Sequence, residues 1–213
     1  MTIDIGAGDG RAVIATALAE PTSLVIGLDA DAASMVESSR RAVRGRVSNA
    51  LFVVAAAEAL PAELVGIAER VTIRFPWGSL LRGCLGLDNA VTAGIASLAP
   101  DATRIPKLAR RATFSTEPAP EPGCSPHLEL LLAPNARDGL AGMPTEPGAV
   151  VRAAAAAFAP YGFELVEGRP ATAEEVAASR STWAKRLLRG GTSLERPVTL
   201  VRLRSSPRCA ASR

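Results

Sequence analysis

Two tryptophans stand in short motifs that favour binding of a flat aromatic group. Trp77 lies in the segment RFPWGSLLRG, residues 74–83, directly after a predicted strand, and Trp183 lies in STWAKRL, residues 181–187. A proline before the ring stiffens the backbone and a glycine after it frees the backbone, so we expect the Trp77 indole to be presented rather than buried. Ligands of α/β sheets bind at such strand ends. The alternative for Trp77 is a tryptophan buried in the core beside a tight turn.

A glycine-rich turn follows the first predicted strand. Apolar residues 2–5 lead into Gly6, Gly8 and Gly10, and helical spacing begins at Arg11. Glycines permit backbone conformations closed to other residues and let a ligand approach the main chain at a helix N-terminus. The spacing departs from the G-x-G-x-x-G of nicotinamide dinucleotide sites, because Arg11 stands at the position of the third glycine. This difference weakens an interpretation as a dehydrogenase.

Acidic residues follow the next two predicted strands. Asp29 comes about 20 residues after the glycine turn, where an acid can accept both hydroxyls of a ribose. Small residues before Glu58 leave room for an adenine ring, although an ordinary glutamate at a helix start is the alternative. Asp31 is predicted to begin the next helix. The pattern indicates a nucleoside-containing ligand.

Length and composition indicate a globular protein of one domain. The 213 residues, 48% of them hydrophobic, are enough for one domain with a full core. We expect a cytoplasmic protein, since no membrane span or signal peptide is apparent. Three scattered cysteines and the single His127 predict no metal site, and His127 is expected to be structural. Arginines cluster in residues 40–46, 104–111 and 185–208, which favours RNA as a binding partner. The alternative is that these residues form solvated helix faces and a loose basic tail.

Hydrophobic periodicity predicts strands that alternate with helices. The predicted strands are 2–5, 23–27, 51–54, 71–75, 127–133, 163–167 and 198–204. The predicted helices are 11–20, a helix that begins at 31 and continues beyond 39, 80–98, 146–160 and 172–188. Gly83, Gly86 and Gly94 lower helix propensity and favour a break, and Thr172 with Glu175 forms a predicted capping box. We predict a single domain over 1–204, with an irregular proline-rich insertion at 101–126 and a flexible tail at 205–213.

The motifs together resemble a known family. The pattern D-x-G-x-G-x-G of residues 4–10, with Asp29, resembles class I methyltransferases that bind S-adenosylmethionine. The two tryptophan segments closely resemble the aminoglycoside-resistance 16S rRNA methyltransferases of the KamB/NpmA type, which methylate N1 of an adenine in the ribosomal decoding site. The resemblance covers about residues 2–204 apart from 101–126. It implies an α/β, Rossmann-like sheet of seven mostly parallel strands with an antiparallel last strand.

The resemblance also implies roles for particular residues. Trp77 and Trp183 would hold the flipped adenine between them, with Pro76 and Ser181 supporting the catalytic site. The implied cofactor-binding residues are Asp4, Gly6, Gly8, Asp29, Ala30, Ala57, Glu58 and Ser79. The candidates for contacts with RNA phosphates are Lys185, Arg186, Arg189 and Arg202. The implied partner is the 30S subunit through its 16S rRNA, and we expect a monomer with neither metal nor membrane.

Two alternatives to this function stay open. Two tryptophans can equally form a pocket for a small aromatic metabolite, which basic residues around the site would argue against. A protein that binds cofactor or RNA without turnover is the second alternative. The family has a hairpin and a helix before its first strand, whereas this sequence begins almost at that strand, so we expect either an upstream start or a reduced cofactor cover and RNA surface.

Overall fold

The computed structural model describes residues 1–100, 127–135, 143–189, 193–194 and 196–205. The predicted insertion at 101–126 lies outside the described residues, as does the predicted tail except for Ser205, which is the last residue of a strand. The predictions for these two segments therefore stay predictions.

Seven strands of the described chain form one twisted sheet, as predicted. They are β1 Thr2–Ile5, β2 Val25–Asp29, β3 Ala50–Val54, β4 Arg70–Arg74, β5 His127–Leu132, β6 Phe163–Pro170 and β9 Thr199–Ser205. Two further short strands, β7 Leu188–Arg189 and β8 Ser193–Leu194, pair with each other. The sheet order is β3-β2-β1-β4-β5-β9-β6, and β9 runs antiparallel to both of its neighbours. The seven-stranded, mostly parallel fold with an antiparallel last strand is confirmed.

Helices cover both faces of this sheet. They are α1 Arg11–Ala19, α2 Ala32–Arg44, α3 Gly78–Cys84, α4 Asn89–Ser97, α5 Pro147–Phe158, α6 Ala173–Ala178 and α7 Thr182–Leu187. Successive strand residues point to opposite faces, so the neighbours Val25 and Ile26 belong to different hydrophobic clusters. Val25 packs with the cluster of α1 and α2, and Ile26 with that of α3, α4 and α5. Parallel strands covered on both faces explain the continuous apolar runs in the sequence.

Two predicted helices are each divided in the structure. The helix predicted at 80–98 is α3 and α4, separated at Gly86, whose φ of +74° requires a glycine. The predicted break at a glycine is confirmed. The prediction of a single helix over 172–188 is wrong. The segment forms two helices, α6 and α7, which are separated at Arg180, whose φ is +55°. Hydrophobic spacing continues through this break, and a left-handed arginine carries no sequence signal.

Local capping predictions agree with the structure. The Asp31 carboxylate caps α2 by accepting a hydrogen bond from the Ala33 amide at 3.0 Å. The capping box at α6 is present, with Thr172 and Glu175 each accepting from the other's backbone amide. Within the described ranges, no helix is long and apolar enough to cross a membrane.

Candidate active site

A cleft of about 420 Å³ lies at the carboxyl ends of β1, β2 and β4. The chain moves outward from β1 to β2 and β3, then returns to place β4 on the other side of β1, so this edge is the switch point of the sheet. Five segments contribute side chains or backbone to the cleft. They are residues 5–9, 28–30, 55–58, 74–80 and 181–183, together with Arg186. Residues as far apart in the sequence as Ile5 and Arg186 therefore share one cavity.

The glycine turn has the geometry that its sequence predicts. Gly6, Gly8 and Gly10 have φ values of +73°, +53° and +68°, a region that residues with side chains seldom adopt. The Gly8 amide donates to Asp29 Oδ2 at 2.8 Å, and the Asp31 amide donates to Asp29 Oδ1 at 3.0 Å. Each carboxylate oxygen has a further lone pair to offer. Asp29 thus holds the turn in place and remains able to accept ligand hydroxyls.

Asp4 is buried below the cleft and is not one of the residues that line it. Its buried carboxylate accepts from the Thr72 hydroxyl at 2.6 Å and from Arg74 Nη1 at 2.5 Å. Arg74, in contrast, lines the cleft, and its side chain is only 15% exposed. A buried charge pair that lost one partner would leave the other unsatisfied, so Asp4 acts by holding Arg74. Sequence reasoning missed Arg74, although its place at the end of β4 was a usable signal.

The loop after β3 lines the cleft with small residues. Ala55, Ala56, Ala57 and Glu58 all contribute to it; Ala57 is buried and Glu58 is exposed. Ala30 and Ser79 line the same cleft. Apart from Asp4, the structure therefore brings together every residue that was predicted to bind the cofactor.

Both tryptophans lie at the cleft and are open to solvent. Trp77 is 77% exposed and Trp183 is 44% exposed, so the alternative of a core tryptophan does not hold. The two also line an adjoining cavity of about 530 Å³, together with Pro76 and Arg186. The Arg186 guanidinium carbon lies 5.1 Å from the centre of the Trp183 ring, a cation–π contact. Large apolar groups exposed beside a cavity mark a site of interaction or ligand binding.

Each tryptophan follows a residue in the left-handed backbone region. Phe75 has a φ of +52° two residues before Trp77, and Arg180 has a φ of +55° three residues before Trp183. Non-glycine residues in this region are strained, and such strain concentrates at functional sites. The Phe75 side chain is buried in one apolar cluster with Ala184 of α7. This cluster therefore joins the two tryptophan-bearing segments.

The predicted RNA-binding residues are not all near the cleft. Lys185 and Arg186 are exposed on α7, and Arg189 belongs to β7. Arg202 lies on β9, where it pairs with Glu129 at 2.9 Å and with Glu167 at 2.6 Å. The structure does not bring Arg202 to the cleft. In the part of the chain that is described, no three acidic, histidine or cysteine side chains lie close enough to hold a metal ion.

The order of the sheet, the glycine turn after β1 and the acid ending β2 define a class I methyltransferase. A family model agrees with this class: that of NpmA, described as 16S rRNA (adenine(1408)-N(1))-methyltransferase, matches residues 1–123. The chain belongs to this family. The predicted resemblance and the prediction of an enzyme are both confirmed.

Individual relatives match over most of the chain. The 16S rRNA (adenine(1408)-N(1))-methyltransferase of Streptoalloteichus hindustanus is 35% identical over 192 residues, which are 88% of this chain and 80% of that protein. The aminoglycoside resistance methyltransferase NpmB1 has 31% identity and a TM-score of 0.64, covering 96% of this chain and 86% of its own. The 16S rRNA (adenine(1408)-N(1))-methyltransferase of Catenulisporales acidiphilia, solved as a tryptophan-to-alanine variant with cosubstrate SAM, has 25% identity and a TM-score of 0.72. The match covers 97% of this chain and 86% of that chain.

Proposed function

We propose that this protein transfers the methyl group of S-adenosylmethionine to N1 of adenine 1408 of 16S rRNA, in the 30S subunit, and thereby confers aminoglycoside resistance. The observation that carries the proposal is that two exposed tryptophans share one cleft with the glycine turn and Asp29. A platform for a flat base therefore adjoins a nucleoside-binding edge. The names of the relatives support the substrate.

The residues of the cleft fit S-adenosylmethionine. Asp29 keeps lone pairs for the ribose hydroxyls, and the small residues before Glu58 leave space for an adenine ring. A side chain at Gly8 would meet no atom within 4 Å, so the turn is open towards its ligand. Arg74 offers a guanidinium for the carboxylate end of the cofactor. The cofactor supplies a methyl group on a sulfonium, which is already activated for transfer.

Trp77 and Trp183 stack on the target base in this proposal. Enzymes that act on a base must first take it out of its helix, which costs a few kcal/mol. Stacking on aromatic side chains contributes about 1–3 kcal/mol per base, which offsets much of that cost. The Ser181 hydroxyl caps α7 by accepting from the Trp183 amide at 3.2 Å, and so fixes the backbone that carries this ring.

The reaction asks little of acid–base groups on the protein. Adenine N1 carries a free lone pair, so a strong general base is unnecessary and positioning supplies most of the catalysis. We assign to the backbone carbonyl near Pro76 the role of accepting a hydrogen bond from the adenine amino group. That bond would present N1, rather than the amino nitrogen, to the methyl carbon.

Docking on RNA is assigned mainly to the surface of α7. Lys185 and Arg186 are exposed beside Trp183, where phosphates flanking a flipped base would lie. Arg189 is a further candidate, whereas Arg202 is already held by two carboxylates and should contribute less. The protein would act as a monomer in the cytoplasm, where its ribosomal substrate is assembled.

The experiment is methylation of purified 30S subunits with labelled S-adenosylmethionine, followed by primer extension across the decoding site. An N1-methylated adenine stops reverse transcription, so a new stop at this adenine supports the proposal. Label at another nucleotide would contradict the target. Cofactor binding in calorimetry without any incorporation would favour a small-molecule substrate or a protein without turnover. Expression in a susceptible host, with aminoglycoside inhibitory concentrations, tests resistance separately.

A further inference from the structure

We propose that a hydrogen bond between Thr182 and Asp9 sets the position of Trp183 relative to the glycine turn, residues 6–10, to which the cofactor is assigned. Thr182 Oγ1 donates to Asp9 Oδ2 at 2.5 Å, although the two residues are 173 positions apart in the sequence. Both residues line the cleft. They are positioning residues, since neither is expected to touch the reacting atoms. The inference rests on the proposed function of the same cleft.

Asp9 is held firmly on its own side of the cleft. Its backbone carbonyl accepts from Arg41 Nη1 of α2 at 2.5 Å. Its carboxylate pairs with Arg11 Nε at 3.2 Å, and the Arg11 amide donates to it at 3.3 Å. Asp9 therefore presents a fixed, charged acceptor, and hydrogen bonds to charged groups are the stronger ones.

α7 depends on outside contacts for its position. It has only six residues, and helices this short are not stable by themselves. It follows directly on the left-handed Arg180, where the chain changes direction. Its inner face is anchored by Ala184 and Leu187, whereas Thr182 anchors its first turn. Trp183 follows Thr182 directly in the first turn of α7. The hydrogen bond of the Thr182 hydroxyl therefore fixes the position of the turn that carries the indole.

The bond joins the two halves of the proposed reaction. Gly8, next to Asp9 in the glycine turn, donates to Asp29 at the end of β2. A ligand bound at the glycine turn therefore contacts the same segment that carries the acceptor for Thr182, and through Thr182 this segment is connected to the platform for the base. Such coupling is reciprocal, so a base held by Trp183 would in turn favour binding of the cofactor at this turn.

The first test uses neither cofactor nor RNA. Trp77→Phe leaves Trp183 as the one tryptophan of the chain, whose quenching by acrylamide reports its accessibility. In this background Thr182→Val removes the donor and should raise the quenching constant about twofold, towards full exposure from the present 44%. Thr182→Ser keeps the hydroxyl and should restore the parent value. Thr16→Val, the same exchange on α1 outside the cleft, is the matched control.

The second test is a double-mutant cycle in methylation of 30S subunits. Thr182→Val should lower kcat about tenfold, as expected for loss of a hydrogen bond to a charged group, with KM for 30S subunits almost unchanged. Asp9→Ala should lower kcat too, and the double variant should be no slower than the slower single one. A rescue by Thr182→Ser separates positioning from misfolding.

The outcomes distinguish this inference from the proposed function. If the parent protein does not methylate 30S subunits, the proposed function fails, and the quenching experiment still decides the positioning. Equal quenching of the Thr182→Val and parent proteins would overturn the inference, even with full methylation activity. Multiplicative losses in the double variant would likewise show that the two residues act independently.

Discussion

Gly94 of α4 packs directly against the backbone of Ala57, so closely that a Cβ at position 94 would lie 1.8 Å from the Ala57 carbonyl oxygen. The partner atom belongs to the backbone, so no side-chain rotation can relieve the overlap. The sequence presents Gly94 only as a weak point in a helix. The structure shows instead that this glycine supports the loop assigned to the cofactor's adenine.

Gly94→Ala should therefore destabilise the protein even though alanine is the better helix former. Alanine favours a helix by about 1 kcal/mol over glycine, but overpacking costs about 1–3 kcal/mol and the clash is severe. The displaced loop should also weaken S-adenosylmethionine binding. Denaturant unfolding and titration calorimetry measure the two effects. Gly148→Ala, whose added Cβ would meet only Arg152 at 3.5 Å, should cost nothing; equal behaviour of the two variants would contradict the prediction.

Trp77→Ala and Trp183→Ala should each lower kcat/KM for 30S subunits by roughly 5- to 150-fold, the equivalent of about 1–3 kcal/mol of lost stacking. Trp→Phe at either position should lose less, because a smaller aromatic face remains. Thermal stability should change little for Trp77→Ala, since that ring is 77% exposed. Steady-state kinetics with labelled cofactor measures the loss. Full activity of either alanine variant would remove that tryptophan from the site.

Arg180→Gly should stabilise the protein. Arg180 is exposed and left-handed, just beyond the end of α6, where glycine is the preferred residue. Relief of the strain is worth about 1 kcal/mol, or a rise in Tm of about 2–4 °C for a chain of this size. Scanning calorimetry is the measurement. Arg180→Ala keeps the strain and should show no gain, so a similar rise in both variants would point to the charge instead.

Protonation of Glu175 at low pH should lower the free energy of unfolding. Hydrogen bonds from Arg169, and then from the Thr172 backbone, lower the pKa of Glu175 from its ordinary 4.5 to about 2. Because the pKa is lower in the folded state, this group stabilises the fold above pH 4.5 and loses that effect as the pH falls towards 2. Glu175→Gln keeps an acceptor for the capping box and lacks the charge.

The Tm difference between parent and Glu175→Gln should accordingly shrink between about pH 4.5 and pH 2. It should also shrink at high salt, because the Arg169 side chain is 38% exposed and its charge is screened. Calorimetry across this pH range, at low and high ionic strength, tests both points. A Tm difference that stayed constant with pH would show that Glu175 acts only as a cap.

The sequence by itself determined the features whose causes are local. The glycines at positive φ, the Asp31 cap and the alternation of strands with helices follow from residues adjacent in the chain. The resemblance of the motifs indicated the family, and the motifs marked the segments that line the cleft, because parallel strands must bring their carboxyl ends to one edge.

Only the tertiary structure decided which distant residues meet. Asp4 holding Arg74, Thr182 bonded to Asp9 and Gly94 pressed on Ala57 join segments separated by tens of residues or more. Arg202, grouped with the basic residues by its sequence position, is instead held by carboxylates on neighbouring strands. Such contacts depend on strand register and on how side chains pack between elements, and neither quantity is encoded within a short window of sequence.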